Sequence, residues 1–354
     1  MSTFIQLHLL TSYPPSNLNR DDLGRPKSAV MGGKNRLRIS SQSLKRAWRT
    51  SDLFEAALAG HIGKRTKKMG IEIYKMLCSK GVTETKAKEF AKRIVEFFGA
   101  TESAEKDKPL KELESSQLIH FNQSEIKAFT DLTDKIARDG NIDTDDLKKL
   151  VAKRHDVDVA MFGRMLTGKE IVKVTKDTEA AVQVAHAITV HEVAVEDDYF
   201  TAVDDLNSAE DDLGAAHIGE TEFAAGLFYI YICINRDLLV ENLGGDQDLA
   251  NKALAALVEA AAKVAPNGKQ NSFASRAYAS YLMAEKGKQQ PRSLSVAFLK
   301  PVRGEDILAK AITDLEATRA NMEKTYGPCA DEMKVINAET GEGNLNDIPP
   351  FVKG

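Results

Sequence analysis

Three cations and an amide occur at helical spacing in one short segment of the chain, where they could bind a row of phosphates. They fall at i, i+3, i+4 and i+7 of a helix predicted for residues 42–58, and so they share one face: Gln42, Lys45, Arg46 and Arg49. Ser40 or Ser41 is well placed to cap this helix, and the free N–H groups of a helix N-terminus attract anions. Trp48, the one aromatic side chain here, points to the opposite face, so the pattern favours the phosphate backbone over the bases. We therefore predict sequence-independent binding with strong salt dependence; the alternative is an amphipathic surface helix whose cations are merely solvated.

The charge of the chain is unevenly distributed along its length. The 354 residues carry a net charge of −4, yet residues 20–68 contain 13 Lys and Arg against four acids. Residues 192–222 show the opposite bias, with 11 acids and no Lys or Arg. This segregation indicates a polyanion-binding protein or one that stacks on copies of itself; the alternative is a solvated surface of mixed charge.

Patterns that would bind a metal ion or a nucleotide are weak. His186 and His191 lie on opposite faces of a predicted strand, so they cannot jointly hold a metal ion. Gly32-Gly33-Lys34 lacks the spacing of a phosphate-binding loop. The three cysteines are far apart and odd in number, which excludes a disulfide framework and suits a reducing cytosol. We expect no metal and no cofactor.

The elements that would position the basic segment are strands at both ends of a helical middle. Strands are predicted at residues 3–10, 36–39, 182–195, 223–234 and 295–299, and further helices at about 248–264 and 305–326. Residues 64–153 are charged and helix-forming, and a loop with two prolines is expected at 13–17. No run approaches the roughly 18–20 apolar residues of a membrane span. The order indicates an α+β protein with a helical insertion, expected to be cytoplasmic and without a membrane partner.

Several motifs of this chain together resemble one family. Around the basic segment they are Asn17-Leu18-Asn19-Arg20-Asp21-Asp22, Gly32-Gly33-Lys34 and residues 38–47; later they are Gly163-Arg164-Met165 and residues 185–189, 199–206, 216–219 and 241–245. They occur in the family's order over roughly residues 1–245. In these motifs the chain resembles the backbone subunit (CasC type) of Cascade, the type I-E CRISPR surveillance complex.

This resemblance implies an RRM-like (ferredoxin-like) palm with a large helical finger insertion and a β-hairpin thumb, within the α+β class. It assigns residues 1–60 to the first part of the palm with the basic RNA groove, and 61–180 to the finger. Residues 181–235 would be palm strands with the thumb hairpin at about 193–222, 236–340 the rest of the palm, and 341–354 a loose tail. Several copies would line up along a CRISPR RNA and present it to target DNA, together with other Cascade subunits.

The motifs also imply which residues contact RNA. The backbone groove would be lined by Arg20, Lys27, Ser40, Gln42, Lys45 and Arg49. Met165 and Phe200 would wedge against a displaced base with Thr201 beside them, and Lys269 and Gln270 lie in a turn that resembles another RNA-contacting one. The expected protein is a non-catalytic subunit of antiviral defence.

Two other functions remain open from the sequence. The first is a metal-dependent ribonuclease on the same fold that uses Asp21 and Asp22, since related type III subunits cut RNA with a loop acid. Against it, cations flank the pair and no second acidic cluster stands nearby to complete a two-metal site. The second is a general single-stranded nucleic-acid-binding protein unconnected to CRISPR.

Overall fold

The computed structural model describes residues 2–151, 154–173, 177–202 and 217–353, which form two compact units. The first unit consists of Met1–Phe54, Gln183–Ile234 and Leu254–Gly354. The second consists of Glu55–Val182 and Asn235–Ala253. Both units are therefore built from segments that are distant in sequence.

The strands and helices follow in chain order. The strands are β1 (Phe4–Ser16), β2 (Ser28–Met31), β3 (Lys34–Ile39), β4 (Lys64–Thr66), β5 (Ile119–Phe121), β6 (Val182–Val184), β7 (Ala187–Thr189), β8 (Glu196–Ala202), β9 (His217–Asn235), β10 (Ala279–Gly287) and β11 (Glu332–Asn337). The helices are α1 (Ser41–Arg49), α2 (Asp52–Ala57), α3 (Met69–Ser79), α4 (Glu84–Phe98), α5 (Gln123–Asp139), α6 (Thr144–Lys148), α7 (Val157–Phe162), α8 (Arg236–Asn242), α9 (Gln247–Lys263), α10 (Gln270–Phe273), α11 (Ile307–Tyr326) and α12 (Ile348–Val352). Short 3-10 helices lie at Lys111–Leu113, Ile171–Lys173, Ser295–Phe298 and Leu345–Asp347.

The first unit is built on one large sheet. Its strands follow the order β11-β10-β1-β9-β7-β3-β2, and β6 and β8 also pair with β9. Pairing is antiparallel between β1 and β10, β10 and β11, β2 and β3, β3 and β7, and β7 and β9. One face of the sheet packs on α11 and the 3-10 helix Ser295–Phe298 through a buried apolar cluster that includes Leu10, Tyr229 and Met283. The expectation of a mixed helix-and-strand fold is confirmed, and its sheet is mostly antiparallel.

A buried carboxylate lies on β10 within this unit. Glu285 accepts hydrogen bonds from Arg319 Nε at 2.7 Å and from Arg292 Nη2 at 3.0 Å, and lies 3.2 Å from His8 Nε2. These partners keep the pKa of Glu285 below its ordinary value although burial itself opposes this. Burial lowers the pKa of His8. The central strands therefore depend on a fully compensated buried charge.

The second unit is mainly helical. Its core is an apolar cluster contributed by α3, α4 and α5, in which the rings of Phe98, Phe121 and Phe129 contact one another edge to face at 5.2–5.6 Å. β4 and β5 form a two-stranded sheet beside it. This helical composition agrees with the helix-forming sequence of residues 64–153.

Several local predictions were wrong for identifiable reasons. Residues 295–298 form a 3-10 turn instead of a strand, because Leu294 and Phe298, four apart, are both buried. β1 continues to Ser16 instead of ending in a loop: its pairing with β10 stops at Thr11, but β9 lies along its other side. The tail predicted to be loose contains α12, whose Ile348, Phe351 and Val352 are buried.

Candidate nucleic-acid interface

Helix α1 is fixed in position at both its start and its buried face. The Ser40 hydroxyl accepts a hydrogen bond from Ser43 N–H at 3.3 Å and so caps the helix, as predicted. Ser40 N–H in turn donates to Asn19 Oδ1 at 2.8 Å, which ties the helix start to the preceding basic loop. Leu44 and Trp48 are fully buried. These contacts set the rotation of α1 and therefore determine which of its polar side chains face outward.

The loop before β2 is held together by Asp21. Its Oδ1 accepts hydrogen bonds from the N–H groups of Leu23 and Arg25, both at 2.9 Å. Gly24, with φ of 87°, makes the turn. Asp21 thus works as a turn-forming residue, and Arg20 stands exposed at the base of that turn. Among the described residues, no three His, Cys, Asp or Glu side chains are grouped to hold a metal ion.

An open trough runs along α1 in the first unit. It consists of two adjoining cavities of about 400 and 500 Å³ that share Ala47, Thr50 and Asn267. The first cavity is also lined by Arg20, Asp21, Ser43 and Arg46, among others. The second is also lined by Ser51, Asp52, Lys263, Gln270, Arg276 and Tyr278, among others. The trough therefore brings the basic loop, the helix and the turn after α9 to one surface.

The helix row that lines this trough adjoins the row predicted from the sequence. Ser43, Arg46 and Thr50 line it, whereas Gln42, Lys45 and Arg49 lie one row away on the same outward side. Gln42 is exposed and the two cations are half-buried. Burial lowers the pKa of Lys45. Arg46 is the residue shared by the predicted helix face and the lining of the trough.

Contacts within the chain occupy several cations of the basic segment, including Arg25, Lys34 and Arg36. Arg36 is fully buried and donates to the carbonyl oxygens of Thr189 at 2.8 Å and Phe298 at 3.0 Å. Arg36 is therefore not available to an anion. Arg25 and Lys34 form ion pairs of 3.1 Å with the acidic residues 222 and 192, respectively. In the described part of the chain, Arg20, Lys27 and Arg46 have no ion-pair partner, so these remain available to an anion.

Lys27 lies at a second small group of cations on the same unit. With Arg38 and Asn19 it lines a narrow cleft between the basic loop and β3. Arg38 Nη1 donates to His186 Nδ1 at 2.9 Å. Burial, together with Arg38 and Lys27, lowers the pKa of His186, so the imidazole is neutral at pH 7 and accepts from the guanidinium.

Phe200 and Thr201 lie on β8, which pairs antiparallel with the first part of β9. Phe200 is opposite Gly219, and a side chain at Gly219 would collide with the Phe200 ring. The ring is nevertheless 43% exposed. Thr201, opposite Ile218, is exposed as well and belongs to the other face of the strand pair. Residues 203–216 of the expected hairpin lie outside the described residues.

The base of this strand pair is attached to the trough on two sides. Asn17 Nδ2 donates to the carbonyl oxygens of Gly24 and Glu222, both at 2.9 Å. From the turn after α9, Lys269 Nζ donates to Thr221 Oγ1, and the Phe273 ring lies 6.0 Å from a phenylalanine ring of β9. Lys269 is therefore engaged with β9, whereas Gln270 lines the trough.

Met165 belongs to the second unit, whereas the other predicted residues belong to the first. Its side chain is 67% exposed. The neighbouring Arg164 is buried, with Nη1 donating to Glu125 Oε2 at 2.7 Å and to the carbonyl oxygen of His120 at 3.0 Å. Leu166 is buried on the other side. An exposed apolar side chain is thus presented between two buried neighbours, Arg164 and Leu166.

The prediction from the sequence missed part of the trough. Arg46 was on the predicted face but not among the expected RNA contacts, and Asn267, Arg276 and Tyr278 were not considered at all. Arg276-Ala277-Tyr278 places a cation two residues from an exposed aromatic ring, and that interleaving is a signal of nucleic-acid binding.

A protein-family model described as CT1975-like protein matches residues 5–348. The chain therefore belongs to this family, and the resemblance to the Cascade backbone subunit indicated by its motifs is confirmed. No curated protein matches the chain.

Two chains of solved structures are similar over nearly their whole length. One comes from a CRISPR RNA-guided surveillance complex, pre-nicking, with 33% identity, a TM-score of 0.82, and coverage of 97% of this chain and 94% of that chain. The other comes from a CRISPR RNA-guided surveillance complex, with 27% identity, a TM-score of 0.73, and coverage of 97% and 93%. Both share the mixed fold of this chain. No helix in the described residues is long and apolar enough to cross a membrane.

Proposed function

We propose that this chain is a non-catalytic backbone subunit of a CRISPR surveillance complex, which binds the sugar-phosphate backbone of the CRISPR RNA. Several copies would line the RNA, leave bases free to pair with target DNA, and contact other Cascade subunits. The two solved relatives belong to RNA-guided complexes, which supports RNA as the ligand. In this proposal the first unit is the RRM-like palm, the second is the finger, and β8 with the start of β9 is the thumb.

The trough along α1 is the observation that carries this proposal. Arg20 and Arg46 line it, and Ser43 adds a hydroxyl group, whereas the Thr50 hydroxyl donates to the carbonyl oxygen of Arg46. Its walls come from a capped helix and a turn closed by hydrogen bonds to the Asp21 carboxylate, so the backbone that carries the two arginines is already fixed. Cations and hydroxyl groups along an open trough suit a chain of phosphates, and contacts to phosphates do not depend on the base sequence. A subunit that carries guide RNAs of different sequences needs to bind RNA without a sequence preference.

The exposed apolar residues support a second role in the same function. Phe200 and Met165 are exposed and each is held on an ordered segment. Apolar wedges of this kind unstack bases at protein–nucleic-acid interfaces. We propose that they displace a base at intervals, with Thr201 beside them.

The ribonuclease alternative gains no support from the loop acids. Asp21 is engaged by two backbone N–H groups that shape its turn, which accounts for its presence without catalysis. A general single-strand binder would use the same trough, and only the bound RNA distinguishes it from the proposed subunit.

The test is to purify the tagged full-length chain from cells that carry its CRISPR array and to size the RNA bound to it. A single short RNA species containing repeat and spacer sequence supports the proposal. Heterogeneous cellular RNA of all lengths identifies a general single-strand binder, and no bound RNA refutes the proposal. Magnesium-dependent cleavage of the RNA that is lost on Asp21→Ala identifies a nuclease.

A further inference from the structure

The trough ends at a strained turn. Lys269 and Ala274, with φ of 45° and 48°, are the non-glycine residues of positive φ among those described, and they flank α10 on both sides. Such backbone conformations cost free energy and concentrate at binding sites, where the surrounding structure enforces them. Here Lys269 is held by Thr221 of β9, and Gln270 Oε1 accepts from Ser275 Oγ at 2.8 Å. These two backbone conformations set the direction in which the chain continues after α10.

Those residues place an aromatic ring and a cation on the wall of the second cavity. Tyr278 is 68% exposed, although a tyrosine ring gains free energy from burial. Arg276 is exposed, and its guanidinium has no ion-pair partner in the described part of the chain. Lys263, by contrast, is paired with Glu259 at 2.8 Å. The ring and one uncompensated guanidinium therefore face the same space of about 500 Å³.

We infer that this end of the trough is a nucleotide subsite, in which the Tyr278 ring stacks on one unpaired base and Arg276 contacts its phosphate. The inference rests on the proposed function and adds to it a single-strand-specific contact. A base has a free face for stacking only when it is outside a duplex, and stacking accepts any base. The exposed carboxylate of Asp52, which also lines this cavity, repels phosphate and so directs it towards Arg276. Asp52 is also an acceptor for a ribose hydroxyl.

Stacking can be separated from backbone binding with RNA that has no bases. The full-length chain is titrated by fluorescence anisotropy with an unstructured oligouridine and with a ribose-phosphate oligomer of the same length that is abasic throughout. Tyr278→Ala should weaken oligouridine binding by about 5- to 10-fold, the lower part of the range for one base–aromatic stack. It should leave the affinity for the abasic oligomer unchanged. Arg276→Gln should weaken binding of both oligomers.

Two variants serve as controls. Tyr278→Phe keeps the ring and should bind oligouridine as the wild type does. Tyr326→Ala removes a tyrosine that is 80% exposed on α11, outside the residues that line the trough, and should also bind normally. Each variant should have the melting temperature of the wild type, which would show that the exposed substitutions leave the fold intact.

The inference is overturned if Tyr278→Ala binds oligouridine normally, or if it loses the same factor with the abasic oligomer. Loss in Tyr278→Phe would also overturn it, because the phenol hydroxyl rather than the ring would then make the contact. The proposed function fails separately, when the wild type does not bind RNA or when Arg20→Gln with Arg46→Gln binds RNA as tightly as the wild type. In that case the nucleotide subsite is rejected with it.

Discussion

Replacing Arg20 and Arg46 together with glutamine should weaken binding of single-stranded RNA by about 25-fold at 0.1 M salt. Both arginines line the trough and neither has an ion-pair partner in the described part of the chain. Each phosphate neutralised on a single strand releases about 0.7 of a counterion, which at 0.1 M salt is worth about a factor of five in affinity. The two factors multiply, and the slope of log K against log salt should become shallower by about 1.4.

The assay is an anisotropy titration of the full-length chain with RNA at several salt concentrations between 0.05 and about 0.5 M, the range in which counterion release dominates. The curves of variant and wild type should approach each other as salt increases. RNAs of unrelated sequence should lose the same factor, because phosphate contacts carry no sequence information.

Arg25→Gln with Lys34→Gln is the matched control, since it also removes two cations of the basic segment. These two are already paired, with Glu222 and Glu192 at 3.1 Å, so their removal should change RNA affinity by less than about threefold. Equal loss in the two double variants would show that net charge, rather than the trough, determines binding. An unchanged salt slope in Arg20→Gln with Arg46→Gln would refute the reasoning directly.

Three further results are expected. Met165→Ala or Phe200→Ala should leave RNA affinity within about threefold of the wild type but reduce capture of target DNA by the assembled complex, measured by DNA gel shift; a large loss of RNA affinity would contradict a wedge role. Arg164→Leu removes the buried ion pair with Glu125 and should destabilise the chain by about 3–5 kcal/mol in urea unfolding, whereas an effect below about 1 kcal/mol would contradict the importance of that pair. Folding lowers the pKa of both His8 and Glu285, so on acidification the unfolded chain is protonated at these two side chains before the folded chain is. The free energy of unfolding should therefore fall from about pH 6.5 downwards because of His8, and fall further below about pH 4.5 because of Glu285. A melting temperature that is constant from pH 7 to pH 4 would exclude this linkage.

The start and the buried face of the helix that carries the basic residues could be predicted from local sequence, but its predicted end at residue 58 was wrong, because α1 ends at Arg49 and α2 begins at Asp52. Helical phasing put Leu44 and Trp48 on the buried side, and both are fully buried. The serine before the helix was expected to cap it, and Ser40 does so. These features depend on residues three or four apart, which is the range over which periodicity and capping act.

The fate of individual cations could not be predicted, because it depends on partners that are distant in sequence. Arg36 and Arg38 lie two residues apart on β3 and so have the same place in the strand pattern. Only Arg36, however, is fully buried, where it donates to the carbonyl oxygens of Thr189 and Phe298. Arg25 and Lys34, two cations of the basic segment, meet acids about 200 and 160 positions away in sequence, and only the folded sheet brings these pairs together.

The far wall of the trough, apart from Gln270, was missed for a related reason. It comes from residues 263–278, which follow α9 and reach α1 only through the fold. β10 was also missed, since buried Glu285 breaks its apolar pattern and its compensating partners Arg292 and Arg319 lie outside the strand. Where a buried charge is neutralised at long range, the hydrophobic pattern of the sequence does not reveal the strand.

Ultraviolet cross-linking of the full-length chain to a uniformly labelled single-stranded RNA, followed by mass spectrometry of the linked peptides, tests the central claim most directly. Cross-links should concentrate in residues 18–21, 43–53 and 263–278, which contain the lining of the trough, and should fall sharply in the Arg20→Gln with Arg46→Gln variant. Cross-links confined to the helical unit, or unchanged in that variant, would contradict the assignment of the trough as the RNA-binding surface.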